Sequence, residues 1–456
     1  MYKFLIRFAI VFLIHTGFDA GVQAQTSKGK VTPENALQHY LHNGDTTFHY
    51  ELKEKYEMPE ATAYDLKLTS QKWRQFTWTH QLTLFVPKEH NSDGALLFIT
   101  GGSVKDGEPN WNGHDDDMFK SMSQIASKNK AVVAVLRQAP NQPLFQDLTE
   151  DALISYTLHQ FKNDKDYSWP LLFPMVKSAV RAMDAIQQFS KASLHQDVKR
   201  FVVSGASKRG WTTWLTGAND KRVVGIAPMV IDILNMPVNL AYQIKAWNEY
   251  SIQIEDYVKL GIPQGAKTES GQAINRMIDP YAYRSTLTMP KMIFMGTNDE
   301  YWVVDAIKNY YDQIPGRNLI CYTPNAGHDL GDKKKALTSL SAFFGMTLAG
   351  KTYPACNWTV STSNKQAKVN VKATPDVLVD AKVWSATSSS MLFTKSEWTS
   401  RPIDIKSKEL VTTSETFPKE GYKAFYIDLK YKDPNGGEYT QSTRMFVADS
   451  KELKLK

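Results

Sequence analysis

An apolar run, Phe201-Val202-Val203-Ser204, breaks at Gly205-Ala206-Ser207, and Lys208-Arg209-Gly210-Trp211 then begins a helical pattern. A strand that becomes a helix through Gly-x-Ser places the serine on a sharp corner, with its hydroxyl exposed at the end of a sheet. The first amides of the following helix have no partner inside it and favour negative charge. They are therefore suited to hold an oxyanion formed when the serine attacks a carbonyl. A strand apolar at every position is buried on both faces, which calls for parallel neighbours of the same kind.

Those neighbours are present. Residues 95–100 form a compact apolar run ending in Gly101-Gly102-Ser103, and residues 131–136 form another ending in Arg137-Gln138-Ala139-Pro140. Further strand patterns at 200–206, 223–231, 291–297 and 318–323 alternate with helical patterns, among them a long one over 169–190 opened by Pro170. Strand and helix in alternation predict an α/β fold with a mostly parallel sheet covered on both faces. Before it, Tyr64, Leu66 and Leu68, then Leu82, Leu84 and Val86, alternate as antiparallel strands do, which fits an edge extension.

Two of the later strands run into residues that a nucleophilic serine requires. The strand at 291–297 enters a polar loop carrying Asn298-Asp299, and the strand at 318–323 leads to Asn325-Ala326-Gly327-His328-Asp329. Open α/β sheets assemble their sites beyond the carboxyl ends of strands. The chain order Ser, Asp, His is that of the α/β-hydrolase fold. His328 is placed to take the proton of Ser207, and Asp299 to fix the histidine tautomer and stabilise its cation. Glu300 is the nearest competitor to Asp299, and Asp305 a weaker one. The oxyanion donors expected in such a fold are the amide after the nucleophile, Lys208, and the loop after an early strand, Gly102 or Ser103. The usual elbow carries a glycine two residues past the serine; here Arg209 stands there and the glycine is Gly210. Lys208 and Arg209 either steer an anionic substrate or pair with nearby acids, and Trp211, Trp214 and Leu215 share one helix face.

The interval 232–288 is too long for a plain crossover and holds amphipathic material over 242–260, so it is expected to form a helical cap over one end of the sheet. After Gly350 helical periodicity disappears. Alternating runs at 365–373, 377–384 and 424–431, with the turn Asp433-Pro434-Asn435-Gly436-Gly437, predict a C-terminal β-sandwich over 351–456. The α/β-hydrolase-like unit is then 25–350.

The remaining signals narrow the function class. The start of the chain, with Lys3 and Arg7 before an apolar stretch ending at Ile14 and Val22-Gln23-Ala24 before Gln25, reads as a signal peptide over 1–24. Export to the periplasm or medium is expected, with no stable membrane span after cleavage. A net charge of +7 over 456 residues, without a dense Lys/Arg block, argues against nucleic acid as a partner. Cys321 and Cys356, the two cysteines, either pair or stay as buried thiols. His114-Asp115-Asp116-Asp117 lacks a partner motif for a cation, and there is no zinc spacing, phosphate loop or nucleotide fingerprint. Neither metal nor cofactor is expected, and the partner is a small-molecule or peptide substrate.

The segment Gly205-Ala206-Ser207-Lys208-Arg209-Gly210-Trp211-Thr212-Thr213-Trp214-Leu215-Thr216 resembles a signature of the PhoPQ-activated pathogenicity-related protein family. The runs Arg137-Gln138-Ala139-Pro140-Asn141-Gln142-Pro143-Leu144 and Thr149-Glu150-Asp151-Ala152-Leu153 resemble others. The likeness extends from about residue 35 to the C-terminal region. It implies an exported, α/β-hydrolase-like protein with Ser207 as nucleophile and Asp299 and His328 as acid and base. The sequence thus points to an exported serine hydrolase; the alternative is a secreted binding or signalling protein on the same scaffold.

Overall fold

The computed structural model describes residues 29–455, so the expected leader over 1–24 lies outside the described residues. A short helix α1 (Ala36–Leu41) precedes three long antiparallel strands, β1 (His49–Glu57), β2 (Ala61–Trp73) and β3 (Phe76–Pro87). Then come β4 (Gly94–Ile99), a small hairpin of β5 (Val104–Lys105) and β6 (Glu108–Pro109), α2 (Asp117–Asn129) and β7 (Val132–Leu136). Helices α3 (Glu150–Asp164) and α4 (Leu172–Ser193) lead to β8 (Arg200–Ala206), α5 (Lys208–Asn219) and β9 (Val223–Met229).

The segment after β9 is helical, with α6 (Met236–Trp247), α7 (Glu255–Lys259) and α8 (Glu269–Ile278). The sheet resumes in β10 (Lys291–Gly296) and β11 (Asn318–Thr323), followed by α9 (Lys334–Leu348). The C-terminal strands are β12 (Asn357–Ser363), β13 (Gln366–Lys372), β14 (Leu378–Ser388), β15 (Thr399–Pro402), β16 (Leu410–Thr416), β17 (Tyr422–Lys432), β18 (Glu438–Ser442) and β19 (Phe446–Asp449).

Six strands in the order β7-β4-β8-β9-β10-β11 are parallel and form the middle of the sheet. β3 joins β7 antiparallel, so β1 to β3 extend one edge. Each central strand serves two cores. In β4, Ala95, Leu97 and Ile99 enter one apolar cluster with α4 and α5, while Leu96 and Phe98 enter another with α2 and α9. This is why the run reads as continuously apolar rather than alternating. The sheet order advances β8, β9, β10, β11, and so the loops after β8, β10 and β11 open at one end of the sheet.

At the other edge β18 pairs with β11 through Ile320 and Ser442, so the C-terminal strands continue the central sheet. A three-stranded sheet, β12-β13-β16, covers part of that continuation. Val369 and Val371 of β13 share a core with Ile427 and Leu429 of β17. Cys321 and Cys356 are both buried free thiols, and burial pushes them up to about 11 and about 12 respectively. Among the described residues no helix is long and apolar enough to cross a membrane.

Candidate active site

The elbow is strained where the sequence motif says it should be. Ser207 has φ 58° and ψ −126°, a conformation in which a side-chain-bearing residue is costly and persists only when its surroundings hold it. Its amide donates to the Met229 carbonyl on β9 at 2.9 Å, and its carbonyl accepts from the Trp211 amide at 2.9 Å. Gly205 and Gly210 let the corner close. A Cβ on Gly205 would stand 2.9 Å from the Ile99 carbonyl, and one on Gly210 would stand 2.7 Å from the Met229 carbonyl. The displaced glycine is therefore the one that α5 needs to approach β9, and the position before it is free to carry Arg209.

The residues singled out at the three strand ends meet. His328 Nε2 lies 2.8 Å from Ser207 Oγ, and His328 Nδ1 lies 2.9 and 3.0 Å from the two carboxyl oxygens of Asp299. Asp299 Oδ1 also accepts from the Tyr301 amide at 2.9 Å. The Tyr301 ring stacks on the imidazole, with centroids 4.0 Å apart, so the histidine is held at its edge and on its face. The competitors are placed elsewhere. Glu300 Oε2 accepts from the His328 amide at 3.3 Å, and buried Asp305 binds Tyr242 and Lys308 at 2.8 Å each.

Burial pushes the Asp299 carboxyl up from its ordinary value, while its hydrogen bonds to His328 and to the Tyr301 amide work the other way. Asp232, just after β9, is a carboxyl that the sequence reading passed over. Burial, with the charges of Asp299 and Asp305 adding to it, pushes Asp232 up to about 8. Its Oδ1 is buried with no hydrogen-bond partner among the described residues. The folded state therefore favours the protonated form of Asp232, and Asp299 is the carboxyl that is hydrogen-bonded to the histidine.

Lys208 and Arg209 pair with acids rather than facing solvent. The Arg209 guanidinium holds Glu150 bidentately at 2.7 and 2.6 Å and donates Nε to the Ala139 carbonyl. Lys208 Nζ lies 3.0 Å from Glu150 and 2.9 Å from Asp151. Gln142 accepts from the Glu150 amide at 2.8 Å and donates to the Gly102 carbonyl at 3.2 Å. Burial pushes the Glu150 carboxyl up, but hydrogen bonds and charge from Arg209, with the Lys208 charge, outweigh it and bring it to about 2. The three sequence signatures are thus one assembly: the 137–144 loop and the start of α3 are clamped onto the first turn after Ser207.

Of the expected oxyanion donors, Lys208 opens α5 directly behind the serine. In the loop after β4, the residues that line the space beside Ser207 are Thr100 and Gly101. Gly102 has its carbonyl bonded to Gln142, and the Ser103 hydroxyl accepts from Asn110 at 2.7 Å. Gly101 lies against the clamped guanidinium: a Cβ there would stand 2.6 Å from the Arg209 terminal nitrogen. Trp214 is fully buried core, whereas Trp211 is core that also lines a cavity opening on Ser207.

The acidic run after His114 is dispersed. Asp116 caps α2 through the Met118 amide at 3.0 Å and pairs with Arg137, and His114 lies 3.4 Å from Asp65. Glu54, Asp65 and His114 bring one ligand atom each within 4.8 Å of one another, but Asp65 already accepts from Thr83 and Gln81.

With this geometry in view, the sequence model of the PhoPQ-activated pathogenicity-related protein family matches residues 37–393. Autocrine proliferation repressor protein A of Dictyostelium discoideum is 29% identical over 441 residues, covering 89% of this chain and 88% of that protein. Among solved structures, acetyl xylan esterase 1 from a Thermoanaerobacterium species superposes with a TM-score of 0.48 at 17% identity, covering 70% of this chain and 95% of that one. The glucuronoyl esterase of Solibacter usitatus superposes with a TM-score of 0.40 at 11% identity, covering 69% and 91%.

Proposed function

We propose that this chain, which belongs to the PhoPQ-activated pathogenicity-related protein family, is an exported serine hydrolase that cleaves an ester or amide bond. The observation that carries the reading is the continuous hydrogen-bonded line from Ser207 through His328 to Asp299, with the serine on a strained elbow. In the reaction, His328 Nε2 takes the hydroxyl proton as Ser207 Oγ bonds to the carbonyl carbon. The negative oxygen of the tetrahedral intermediate faces the Lys208 amide and the loop after β4. When the carbonyl re-forms, the bond to the leaving group breaks and that group takes the proton from His328. Water then repeats the sequence on the acyl-serine, releasing the acid and the free hydroxyl. Asp299 holds Nδ1 protonated throughout, and burial strengthens its attraction for the imidazolium.

Neither metal nor cofactor has a part in this chemistry, and the substrate is a small molecule or a peptide. Export rests on the leader pattern over 1–24. Sequencing the N-terminus of protein recovered outside the cytoplasm tests it, with a start at Gln25 expected. Activity is tested by a panel of esters and peptides with the Ser207→Ala protein as control.

A second reading is favoured by the relative named for repression of proliferation, which covers nearly the whole chain. On that reading the protein signals from an α/β-hydrolase scaffold without turnover. It requires the Ser207→Ala protein to keep its biological effect.

A further inference from the structure

Two spaces meet at Ser207, and their chemistry differs. One is a broad cleft of about 640 Å³; Thr100, Gly101, His328, Asp329 and Lys333 are in its wall. The other is a narrow chamber of about 80 Å³ beneath the helical segment after β9. Its wall carries Trp211, Ile233, Met236, Leu240, Ile262 and Ile274.

His328 is in the wall of the cleft and not of the chamber. A leaving group must lie within reach of His328 Nε2 to take its proton, so it occupies the cleft. What remains of the substrate after that step, the acyl group, is on the chamber side.

The chamber wall is mostly aliphatic and aromatic; its charged groups are paired, and Asn275 and Tyr301 add a side-chain amide and a hydroxyl. Asp151 Oδ2 binds Lys208 Nζ at 2.9 Å, and Asp151 Oδ1 accepts from the Tyr257 hydroxyl at 2.9 Å. A hydroxylated or charged acyl chain entering here would lose water against a mostly apolar wall, which is costly. A hydrocarbon chain loses nothing and gains burial. An acetyl group would leave the chamber unfilled.

We infer that the chamber is the acyl subsite, and that the substrate is an ester or amide of an uncharged aliphatic acid longer than acetate, with a polar leaving group in the cleft. This rests on Ser207 being the nucleophile, as proposed above. Met236 and Leu240 of α6, Ile262, Ala266 and Ile274 then set chain length.

The test is a series of 4-nitrophenyl esters from acetyl to octanoyl, all with one leaving group. Each methylene that enters the chamber is expected to raise kcat/KM about fourfold until the chamber is full. Ala266→Phe, which fills the chamber from its wall, is expected to lower the hexanoyl-to-acetyl ratio of kcat/KM at least tenfold. Leu240→Ala, which enlarges it, is expected to move the optimum to a longer chain. A flat or falling series, or unchanged ratios in both variants once circular dichroism shows them folded, overturns the acyl subsite while leaving the hydrolase reading intact. If no ester is turned over, fluorophosphonate labelling of Ser207 decides the nucleophile reading. Binding of octanoate to the Ser207→Ala protein then decides the chamber: saturable binding weakened by Ala266→Phe supports it, and absence of binding overturns it.

Discussion

His328 Nε2 stands 2.8 Å from Ser207 Oγ although 121 positions separate the two residues in the chain. β8 delivers the serine and β11 the histidine, with β9 and β10 between them in the sheet. Nothing local joins the pair. It exists because six parallel strands stack in one order and end at one edge, so the geometry of the site is a property of the sheet.

Asp299→Asn is expected to lower kcat by about 10⁴ on whichever ester turns over best, because an amide favours the wrong histidine tautomer. Glu300→Gln removes only a carboxylate acceptor of the His328 amide, and its kcat is expected to stay within about tenfold of the parent, as for a loss of under 1.4 kcal/mol. Parallel initial-rate measurements check both. Equal losses in the two variants would assign the acid wrongly.

Glu150→Gln breaks the clamp that fastens α3 to the turn after Ser207. The carboxyl lies near 2 in the folded protein against an ordinary 4.5, so its contribution to stability is complete above about 4.5 and is lost as pH falls toward 2. The variant is expected to melt below the parent at pH 7, with the gap closing between pH 4.5 and 2. Thermal unfolding across that range measures it. A gap that does not depend on pH would mean that the Glu150 charge is not what the clamp uses.

Asp232 has the opposite sign. Its folded value near 8 against an ordinary 3.8 means that the folded state favours the protonated carboxyl, and stability is lost as pH rises from about 3.8 through 8. Asp232→Asn keeps the shape without the charge. Its stability relative to the parent is expected to grow over that window and level off above it. Denaturant titrations at pH 5, 7 and 9 read the trend, and a constant difference would contradict it.

Gly210→Ala places a Cβ 2.7 Å from the Met229 carbonyl and 3.0 Å from the Gly205 carbonyl, both of them backbone atoms. Overpacking of this kind costs about 1–3 kcal/mol. Chemical denaturation measures the loss, and an unchanged midpoint would show that α5 does not need the close approach.

Much of this site is legible in the sequence because each of Ser207, Asp299 and His328 follows an apolar strand in the order the fold requires. The departure at Arg209 is readable only as a departure. Its reason is a side-chain pair with Glu150, 59 positions away, and such pairing leaves no periodic trace. The choice between steering and pairing for Lys208 and Arg209 needed the position of α3. The loop after β4 could be placed by its glycines, but which of Thr100, Gly101, Gly102 and Ser103 faces the serine depends on how Gln142 and Asn110 tie the loop back. Asp232 reads as an ordinary strand-end acid until its neighbours in space are known. The chamber was equally hidden: the cap was predicted as helical, yet the faces of helices as short as α7 that turn toward Ser207 are set by packing.

The most direct measurement is labelling with a fluorophosphonate, followed by peptide mapping of the modified residue. The hydrolase account requires one adduct, on Ser207, that is lost in Ser207→Ala and strongly slowed in a folded His328→Ala protein. Undiminished labelling of Ser207→Ala, or an adduct mapped to another residue, would contradict it.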